Sequence, residues 1–274
     1  MTATPPRSVP VLMYHEVNEP AQAWSRLAVS PAAFREQLAY LHDAGCTTLT
    51  AGRLAALLAA GDQVPPRTVV LTFDDGFEDF HRHAVPALAW HGFTATVFVT
   101  TGWVRDAGAA AAASRPGHML SWAQVAEVTS AGMEVGAHSC EHPKLDQLPA
   151  GRLRDELYGS KARLEDELGI PVPGLAYPYG YSNAAVRQTA RAAGYGYGYA
   201  VRNTMTHPGS DLFALPRLTV HHATGLPEFR RLVTGQLAFS MVRDRALTAS
   251  WSVVRRSRAA LTAAARSRDY TSSR

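Results

Sequence analysis

The sequence predicts an α/β protein organised around a parallel β-sheet, which is either closed into a barrel or doubly wound. Short apolar runs alternate with amphipathic helical patterns along most of the 274 residues, and this alternation is typical of strands joined by helical crossovers. Three groups of chemically unusual residues follow predicted strands, which is where parallel α/β folds place their active sites. No internal repeat or domain linker is evident before about residue 225, so we expect a single domain.

Strands are expected where short apolar runs are rich in β-branched or aromatic residues. These runs cover residues 9–14, 68–73, 94–100, 133–137, 175–177, 195–201 and 213–220. Helices are expected where apolar residues recur at helical spacing, in two cases after a serine that can cap the first turn. The helical patterns cover residues 31–41, 51–60, 77–88, 121–131, 149–168 and 183–193. Residues 101–120 contain a run of alanines and are interpreted as an excursion from the fold or an alanine-rich helical turn.

Composition excludes several classes of protein. The chain is 46% hydrophobic and 18% charged, which excludes general disorder. It has no run of about 18 apolar residues, so no membrane-spanning helix is expected, and residues 1–10 lack the apolar stretch of a cleavable signal peptide. Two cysteines, Cys46 and Cys140, cannot form a disulfide framework. We therefore expect a soluble, cytoplasmic protein with flexible residues 1–8 and a domain over residues 9–225.

Charge is concentrated at the C-terminus. Residues 230–274 contain ten arginines and two aspartates, whereas the whole chain carries a net charge of only +4. The segment 226–274 is expected to form a basic helical extension in which apolar residues alternate with arginine. Such a segment fits peripheral contact with an anionic membrane, and it equally fits helices that close the barrel with arginines on the solvated face.

The first chemical group is Thr72-Phe-Asp-Asp-Gly76. Adjacent carboxylates after a buried strand repel each other, so Asp74 and Asp75 must each be solvated, paired or metal-bound. The alternative is an Asp-Gly turn in which one aspartate caps the next helix.

The second group is His138-Ser-Cys-Glu-His142-Pro, and the third is Tyr177-Pro-Tyr-Gly180. Two neutral imidazoles together with one carboxylate provide three protein ligands and leave one position open, which is the pattern of a catalytic zinc site. A single histidine is more often structural, but this pair together with Asp75 favours a metal centre. In the third group, Pro and Gly fix a bend that can point the Tyr179 backbone N–H into a pocket, although a structural turn explains them equally well.

In chain order, the three groups resemble the first three motifs of the polysaccharide deacetylases, the NodB-homology domain of carbohydrate esterase family four. The flanking segments Pro10–His15, Phe34-x-x-Gln37-Leu38 and Leu120-Ser-Trp122 are similar to that family as well. The resemblance covers about residues 8–220. The N-terminal segment that ends at His15 resembles the circularly permuted members, which include deacetylases of poly-N-acetylglucosamine.

This resemblance implies a distorted (β/α) barrel with about seven parallel strands. It also implies a divalent metal ion, zinc being the expected one, held by Asp75, His138 and His142, with Asp74 as the general base. The backbone amide of Tyr179 resembles the family's oxyanion donor. The implied activity is removal of N-acetyl groups from N-acetylhexosamine units of glycans or glycoconjugates.

The acid that protonates the departing amine differs from the pattern of many relatives, which use a histidine on a late strand. Here His221-His222 follow the last predicted strand without the surroundings of that motif. We predict His15 as the acid and keep His222 as the alternative. A structural reading, in which His15 merely ends an edge strand, also stays open.

Other positions of the expected site also depart from the family. Many relatives carry an arginine that contacts the base aspartate, but Ala176 stands at that position, and Arg217 is a candidate replacement from a neighbouring strand. Tyr177, Tyr179 and Trp122 are candidate substrate-binding residues.

The sequence therefore predicts a metal-dependent hydrolase whose substrate is an N-acetylated carbohydrate. Two alternatives are hydrolysis of a non-sugar amide or cyclic ureide, as in allantoinase-like relatives, and a non-catalytic glycan-binding barrel. An intact metal triad argues against the first alternative, and the intact aspartate pair argues against the second. No nucleic-acid partner is expected, because the basic tail contains no recognised binding module.

Overall fold

The structure is a computed structural model that describes residues 8–19, 27–108 and 117–236. Its strands are β1 (Val11–Tyr14), β2 (Thr47–Leu49), β3 (Thr68–Phe73), β4 (Thr96–Val99), β5 (Glu134–Ala137), β6 (Gly174–Ala176), β7 (Tyr197–Tyr199) and β8 (Leu218–Thr219). Its α-helices are α1 (Pro31–Asp43), α2 (Ala51–Ala60), α3 (Val85–Trp90), α4 (Trp122–Ser130), α5 (Ala150–Leu168), α6 (Ala184–Ala192) and α7 (Leu226–Thr234).

The sheet has a path of seven parallel strands in the order β7-β6-β5-β4-β3-β1-β8, and β2 pairs with β3 beside this path. The register places Val11 opposite Val70 and Tyr14 opposite Phe73. A parallel bridge between Tyr199 and Leu215 joins β7 to the segment that precedes β8 and brings the two ends of the path together. The predicted α/β fold, a distorted barrel of about seven parallel strands in a single domain, is confirmed.

Aromatic packing fixes the helical layer against the middle of the sheet. The ring of Tyr14 stacks on that of Phe73 with centroids 5.1 Å apart and meets that of Phe34 edge-on at 5.4 Å. Phe80 lies 4.6 Å from Phe73. All four side chains are fully buried, and burial of each large apolar side chain contributes about 1.5–3 kcal/mol. The carboxyl ends of β1 and β3 are therefore held rigidly.

Several helices begin where the sequence predicts. The Ser30 hydroxyl accepts the Ala33 N–H at 3.2 Å at the start of α1, and Ser121 forms a capping box with Gln124 at the start of α4. The helix predicted over 77–88 is instead a π-helical turn, Phe80–Ala84, followed by α3. The change occurs next to Pro86, which has no N–H to donate to a regular helix.

The last strands are shorter than predicted. The expected strands over 195–201 and 213–220 are shortened to β7 and β8. The segment around Leu215 forms irregular hydrogen bonds instead of a regular ladder, and the Leu215 N–H donates to the Gly198 carbonyl. β2 was not predicted, and its three residues are not fully buried.

The predicted C-terminal extension is described only in its first part. Helix α7 buries Phe229 and Leu232, and the Phe229 ring meets Tyr40 of α1 edge-on at 6.2 Å. The expectations for residues 237–274, for 109–116 and for 1–7 lie outside the described residues. The helices within the described ranges lack the length and the apolar content that a bilayer span requires.

Candidate active site and metal centre

A cavity of about 450 Å³ opens at the carboxyl ends of the parallel strands. Asp74 and Asp75 reach it directly after β3, His138 and His142 after β5, and Tyr179 after β6. In a parallel sheet these strand ends meet at one edge, so segments distant in sequence deliver their side chains to one place. The structure therefore brings together the three groups that the sequence singles out.

The candidate metal ligands form a compact set. One side-chain atom each of Asp75, His138 and His142 lies within 4.8 Å of the others. Oδ1 of Asp75 is 3.4 Å from Nε2 of His138 and 3.3 Å from Nε2 of His142. Nδ1 of His138 is 2.8 Å from the Ala176 carbonyl oxygen. Because a carbonyl only accepts, Nδ1 carries the proton and Nε2 turns its lone pair toward Asp75.

Burial makes this ligand set suitable for a cation. It lowers the pKa of His142 to about 3 and also lowers the pKa of His138, so both imidazoles are neutral at pH 7. Burial, the neighbouring Asp74 and Glu16 raise the pKa of Asp75 well above its usual value. Oδ1 of Asp75 is buried, and none of the described residues donates a hydrogen bond to it. Two neutral imidazole nitrogens and a carboxylate oxygen therefore face one another, and a divalent cation fits them.

The backbone at the site adopts conformations that side chains other than glycine rarely take. Positive φ angles occur at Asp75 (76°), Ser139 (65°), His142 (56°) and Tyr179 (59°). Each costs of the order of 1–3 kcal/mol and persists only where surrounding contacts impose it. One such contact joins the Ser139 hydroxyl to the His142 N–H at 3.0 Å. These bends turn the ligand side chains into the cavity.

Asp74 is held by a buried arginine. Nη1 of Arg217 donates to Oδ1 of Asp74 at 2.6 Å, and Nη2 donates to Oδ2 at 2.7 Å. Nη1 also lies 3.2 Å from the Thr72 hydroxyl. Burial raises the pKa of Asp74, but the charge of Arg217, the nearby His138 and the hydrogen bonds from Arg217 outweigh it, so the pKa lies well below its usual range. Arg217 thus contacts Asp74 from the segment before β8.

Of the two candidate acids, only His15 lines the cavity. It follows β1 directly, and its buried Nδ1 has no hydrogen-bond partner within the part of the chain that the structure describes. Burial lowers its pKa to about 4, opposed by the negative charge of Asp74. His222 is exposed in the turn after β8 and does not line the cavity.

Two candidate substrate-binding residues lie elsewhere. Tyr177 is fully buried and its hydroxyl donates to the Phe213 carbonyl at 2.9 Å, so its ring belongs to the core. Trp122 begins α4 outside the cavity lining, with the Arg163 guanidinium 5.2 Å from its ring. Neither side chain lines this cavity, whereas Tyr179 does line it and is 50% exposed. A substrate-binding role for Tyr177 and Trp122 stays a prediction.

Sequence reasoning missed several aromatic residues of the cavity, among them Trp103 and Tyr181. Trp103 packs against His142 with ring centroids 4.8 Å apart, and Tyr181 stacks on Tyr179 at 5.8 Å with planes inclined by 23°. Trp103 follows a predicted strand end, the same signal that identified the aspartates, but its segment was interpreted as an excursion. Tyr181 lies one residue beyond the third motif.

The chain is similar to the Streptococcus pyogenes deacetylase PplD, solved in complex with acetate. The identity is 27% and the TM-score 0.74, over 83% of this chain and 99% of that one. It is 26% identical to the Bacillus subtilis protein YxkH over 78% of this chain and 72% of YxkH. It is also 22% identical to the poly-β-1,6-N-acetyl-D-glucosamine N-deacetylase of Escherichia coli K12, over 82% of this chain but only 38% of that protein.

A family model described as polysaccharide deacetylase matches residues 61–198, about half of the chain. The matched range contains both adjacent aspartates, both loop histidines and Tyr179, whereas His15 and Arg217 lie outside it. The family and enzyme class expected from the three groups are confirmed: this chain belongs to the polysaccharide deacetylase family and is a hydrolase that acts on carbon–nitrogen bonds.

Proposed function

We propose that this chain removes N-acetyl groups from N-acetylhexosamine units of a glycan or glycoconjugate, in a reaction that depends on a divalent metal ion. The observation that carries the proposal is the convergence of Asp75, His138 and His142 beside the Arg217-paired Asp74 in one cavity. The name of the Escherichia coli relative suggests poly-β-1,6-linked N-acetylglucosamine as the first substrate to test.

Asp75, His138 and His142 would hold the ion, and zinc suits two neutral imidazoles with one carboxylate. When bound, such an ion polarises a carbonyl and lowers the pKa of water. The neutral state of both histidines favours this role, because a protonated imidazole cannot act as a ligand. The Ala176 carbonyl fixes the tautomer of His138, as partners of metal-bound histidines commonly do.

Asp74 acts as the general base that accepts a proton from water. Its two oxygens are oriented by the two nitrogens of Arg217, and the low pKa keeps the carboxylate ionised at neutral pH. The Tyr179 backbone N–H is the proposed donor to the oxyanion that forms when water adds to the amide carbonyl. One such donor is typically worth about 3 kcal/mol of transition-state stabilisation.

His15 is the proposed acid for the departing amine. Amide cleavage needs one proton on the leaving nitrogen. The attacking water releases one proton to Asp74, so the reaction needs no proton from outside the cavity. Because burial keeps the pKa of His15 at about 4, this imidazole is neutral before the reaction and must gain its proton during turnover.

Aromatic rings beside the ligands supply a surface for a sugar. Tyr179 and Tyr181 stack in nearly parallel planes, and the Tyr179 ring contacts His142 at 4.7 Å. Exposed ring faces bury the apolar face of a pyranose and leave its hydroxyls in water. The intact ligand set and ionised Asp74 disfavour both alternatives, the ureide hydrolase and the non-catalytic barrel.

Two matched substitutions test the proposal. Asp75→Asn is expected to lose both bound metal and acetate release, whereas Asp74→Asn is expected to keep the metal and lose acetate release. Metal is measured by elemental analysis, and acetate is measured over poly-β-1,6-N-acetylglucosamine, chitooligosaccharides, peptidoglycan fragments and nucleotide- or lipid-linked N-acetyl sugars.

The control is Asp62→Asn, the same change at an exposed position, which is expected to keep both properties. Full activity of Asp74→Asn would contradict the base assignment. Full metal content of Asp75→Asn would contradict the metal centre. His15→Ala and His222→Ala, measured side by side on the same substrate, test the acid.

We also propose the cytoplasm as the location and residues 226–274 as a peripheral membrane contact. Helix α7 already uses its apolar side chains within the barrel domain, so the proposal rests on the later residues. Removal of the residues after 240 is expected to reduce binding to anionic liposomes, and unchanged binding would refute the contact.

A further inference from the structure

Glu156 is a buried carboxylate in the middle of α5 that plays no part in the chemistry proposed above. Its side chain is 2% exposed. Oε2 accepts the backbone N–H of Cys140 at 2.8 Å and that of Glu141 at 2.9 Å. Among the residues that the structure describes, the cation within ion-pair distance of Glu156 is the exposed Arg152, whose Nη2 lies 3.8 Å from Oε1. The carboxylate is therefore bound mainly to the loop that separates the two candidate metal ligands His138 and His142.

That loop needs an acceptor at this position. Its residues Ser139 and His142 have positive φ angles. Two consecutive backbone N–H groups, those of Cys140 and Glu141, point to one side of the bend and form an anion-binding concavity. Without the Glu156 carboxylate, both N–H groups would lose the acceptor that α5 provides. The carboxylate stabilises a bend that the backbone alone disfavours.

The opposite side of the loop is also fixed. The Cys140 carbonyl accepts the Gly102 N–H at 2.8 Å, and a Cβ at Gly102 would lie 2.5 Å from that oxygen. The Cys140 thiol lies 3.5 Å from the Glu156 carbonyl. The loop is thus held between the turn after β4 and helix α5, which leaves the position of His142 little freedom.

We propose that Glu156 is a positioning residue that presets the His138–His142 loop for the metal ion. The inference rests on the proposed function for its biological meaning, but it concerns the shape of the loop before any ion is bound. The hydrogen bonds of the Glu156 carboxylate go to two backbone amides of the loop, and through them Glu156 acts on the ligands. Partners that orient metal ligands typically change metal affinity by about 10- to 100-fold when removed.

The test compares full-length Glu156→Ala and Glu156→Gln with wild type. Hydrogen–deuterium exchange of metal-free protein follows the peptide that contains residues 138–142, and competition with a chelator gives the Kd for Zn²⁺ and Co²⁺. We expect Glu156→Ala to speed exchange at Cys140 and Glu141 and to weaken both metals by about 10- to 100-fold. Glu156→Gln keeps an acceptor oxygen, so its loop exchange and its metal affinity are expected to lie much closer to those of wild type.

The control is Glu167→Gln on the same helix, whose carboxylate pairs with Arg163 away from the loop. It is expected to leave exchange and affinity unchanged. If Glu156→Ala exchanges its loop amides as wild type does and binds both metals equally well, the inference is wrong. If wild type binds no metal while Glu156→Ala still speeds loop exchange, the proposed metal centre fails and the positioning of the loop stands.

Discussion

The buried pair of Arg217 and Asp74 allows the sharpest test of how this site is built. Arg217 is 0% exposed, and its two parallel hydrogen bonds to Asp74 measure 2.6 and 2.7 Å. Arg217→Met preserves most of the side-chain volume but leaves a buried carboxylate with neither its charge partner nor its two shortest hydrogen bonds. Breaking one side of a buried pair typically costs about 3–5 kcal/mol, and we expect a loss of unfolding free energy in that range.

The double variant Asp74→Asn/Arg217→Met distinguishes the effect of an unpaired buried charge on stability from the effect of lost side-chain packing. Neither charge remains in it, so it is expected to be at least about 2 kcal/mol more stable than Arg217→Met alone. The assay is urea unfolding of metal-free protein at pH 7, followed by circular dichroism with linear extrapolation. Arg105→Met is the matched control, because Arg105 pairs with Glu78 at 2.9 Å on the surface, where such pairs contribute under about 1 kcal/mol.

Two results would refute this reasoning. The first is an Arg217→Met variant that loses no more stability than Arg105→Met. The second is a double variant that is as unstable as Arg217→Met. Either result would mean that Asp74 is not held ionised by its arginine. Arg217→Lys tests the geometry of the pair, because lysine keeps the positive charge but lacks the planar guanidinium that donates two parallel hydrogen bonds. We expect this variant to have a reduced kcat and to retain its metal content.

Three further changes have definite expected outcomes. Burial raises the pKa of Asp79 to about 7, so the folded chain keeps a proton that the unfolded chain releases near pH 4. The free energy of unfolding therefore falls by up to about 4 kcal/mol as the pH rises from about 4 to about 7. Asp79→Asn should remove this pH dependence, which urea unfolding at several pH values measures. Tyr177→Phe should cost about 1 kcal/mol by the same assay and leave KM unchanged, since its hydroxyl bonds to Phe213 in the core. Gly180→Ala should cost about 2 kcal/mol or more and lower kcat, because φ is 72° and the added Cβ would lie 2.5 Å from the Val201 nitrogen.

The location of the site could be predicted from the sequence because unusual residues followed predicted strands. Asp74, Asp75, His138 and His142 each stand within a few residues of a strand end, and parallel topology then fixes their common edge. The contact of Arg217 with Asp74 could only be suggested. The two residues are 143 positions apart, and their meeting depends on how the irregular segment before β8 crosses the end of the barrel.

Side-chain direction was the part that the sequence could not provide. Tyr177 and Tyr179 are two residues apart and would share a face in a strand. The turn Pro178–Gly180 instead places Tyr179 at φ 59°, which sends one ring into the core and the other into the cavity. The same limit applies to His15 and His222, since the position at which each strand ends decides which imidazole faces the ligands.

The two adjacent aspartates differ in the charge that balances them, and this difference suits the two different roles proposed for them. Asp74 has a permanent cation in Arg217, so its charge is balanced within the protein. Within the described chain, Asp75 lies within ion-pair distance only of His138 and His142, whose pKa values are both lowered by burial. A buried carboxylate beside neutral imidazoles has to bind a proton or a cation. The proposed base is therefore ionised without a metal, whereas the charge of Asp75, the proposed ligand, is balanced only when a proton or a cation binds.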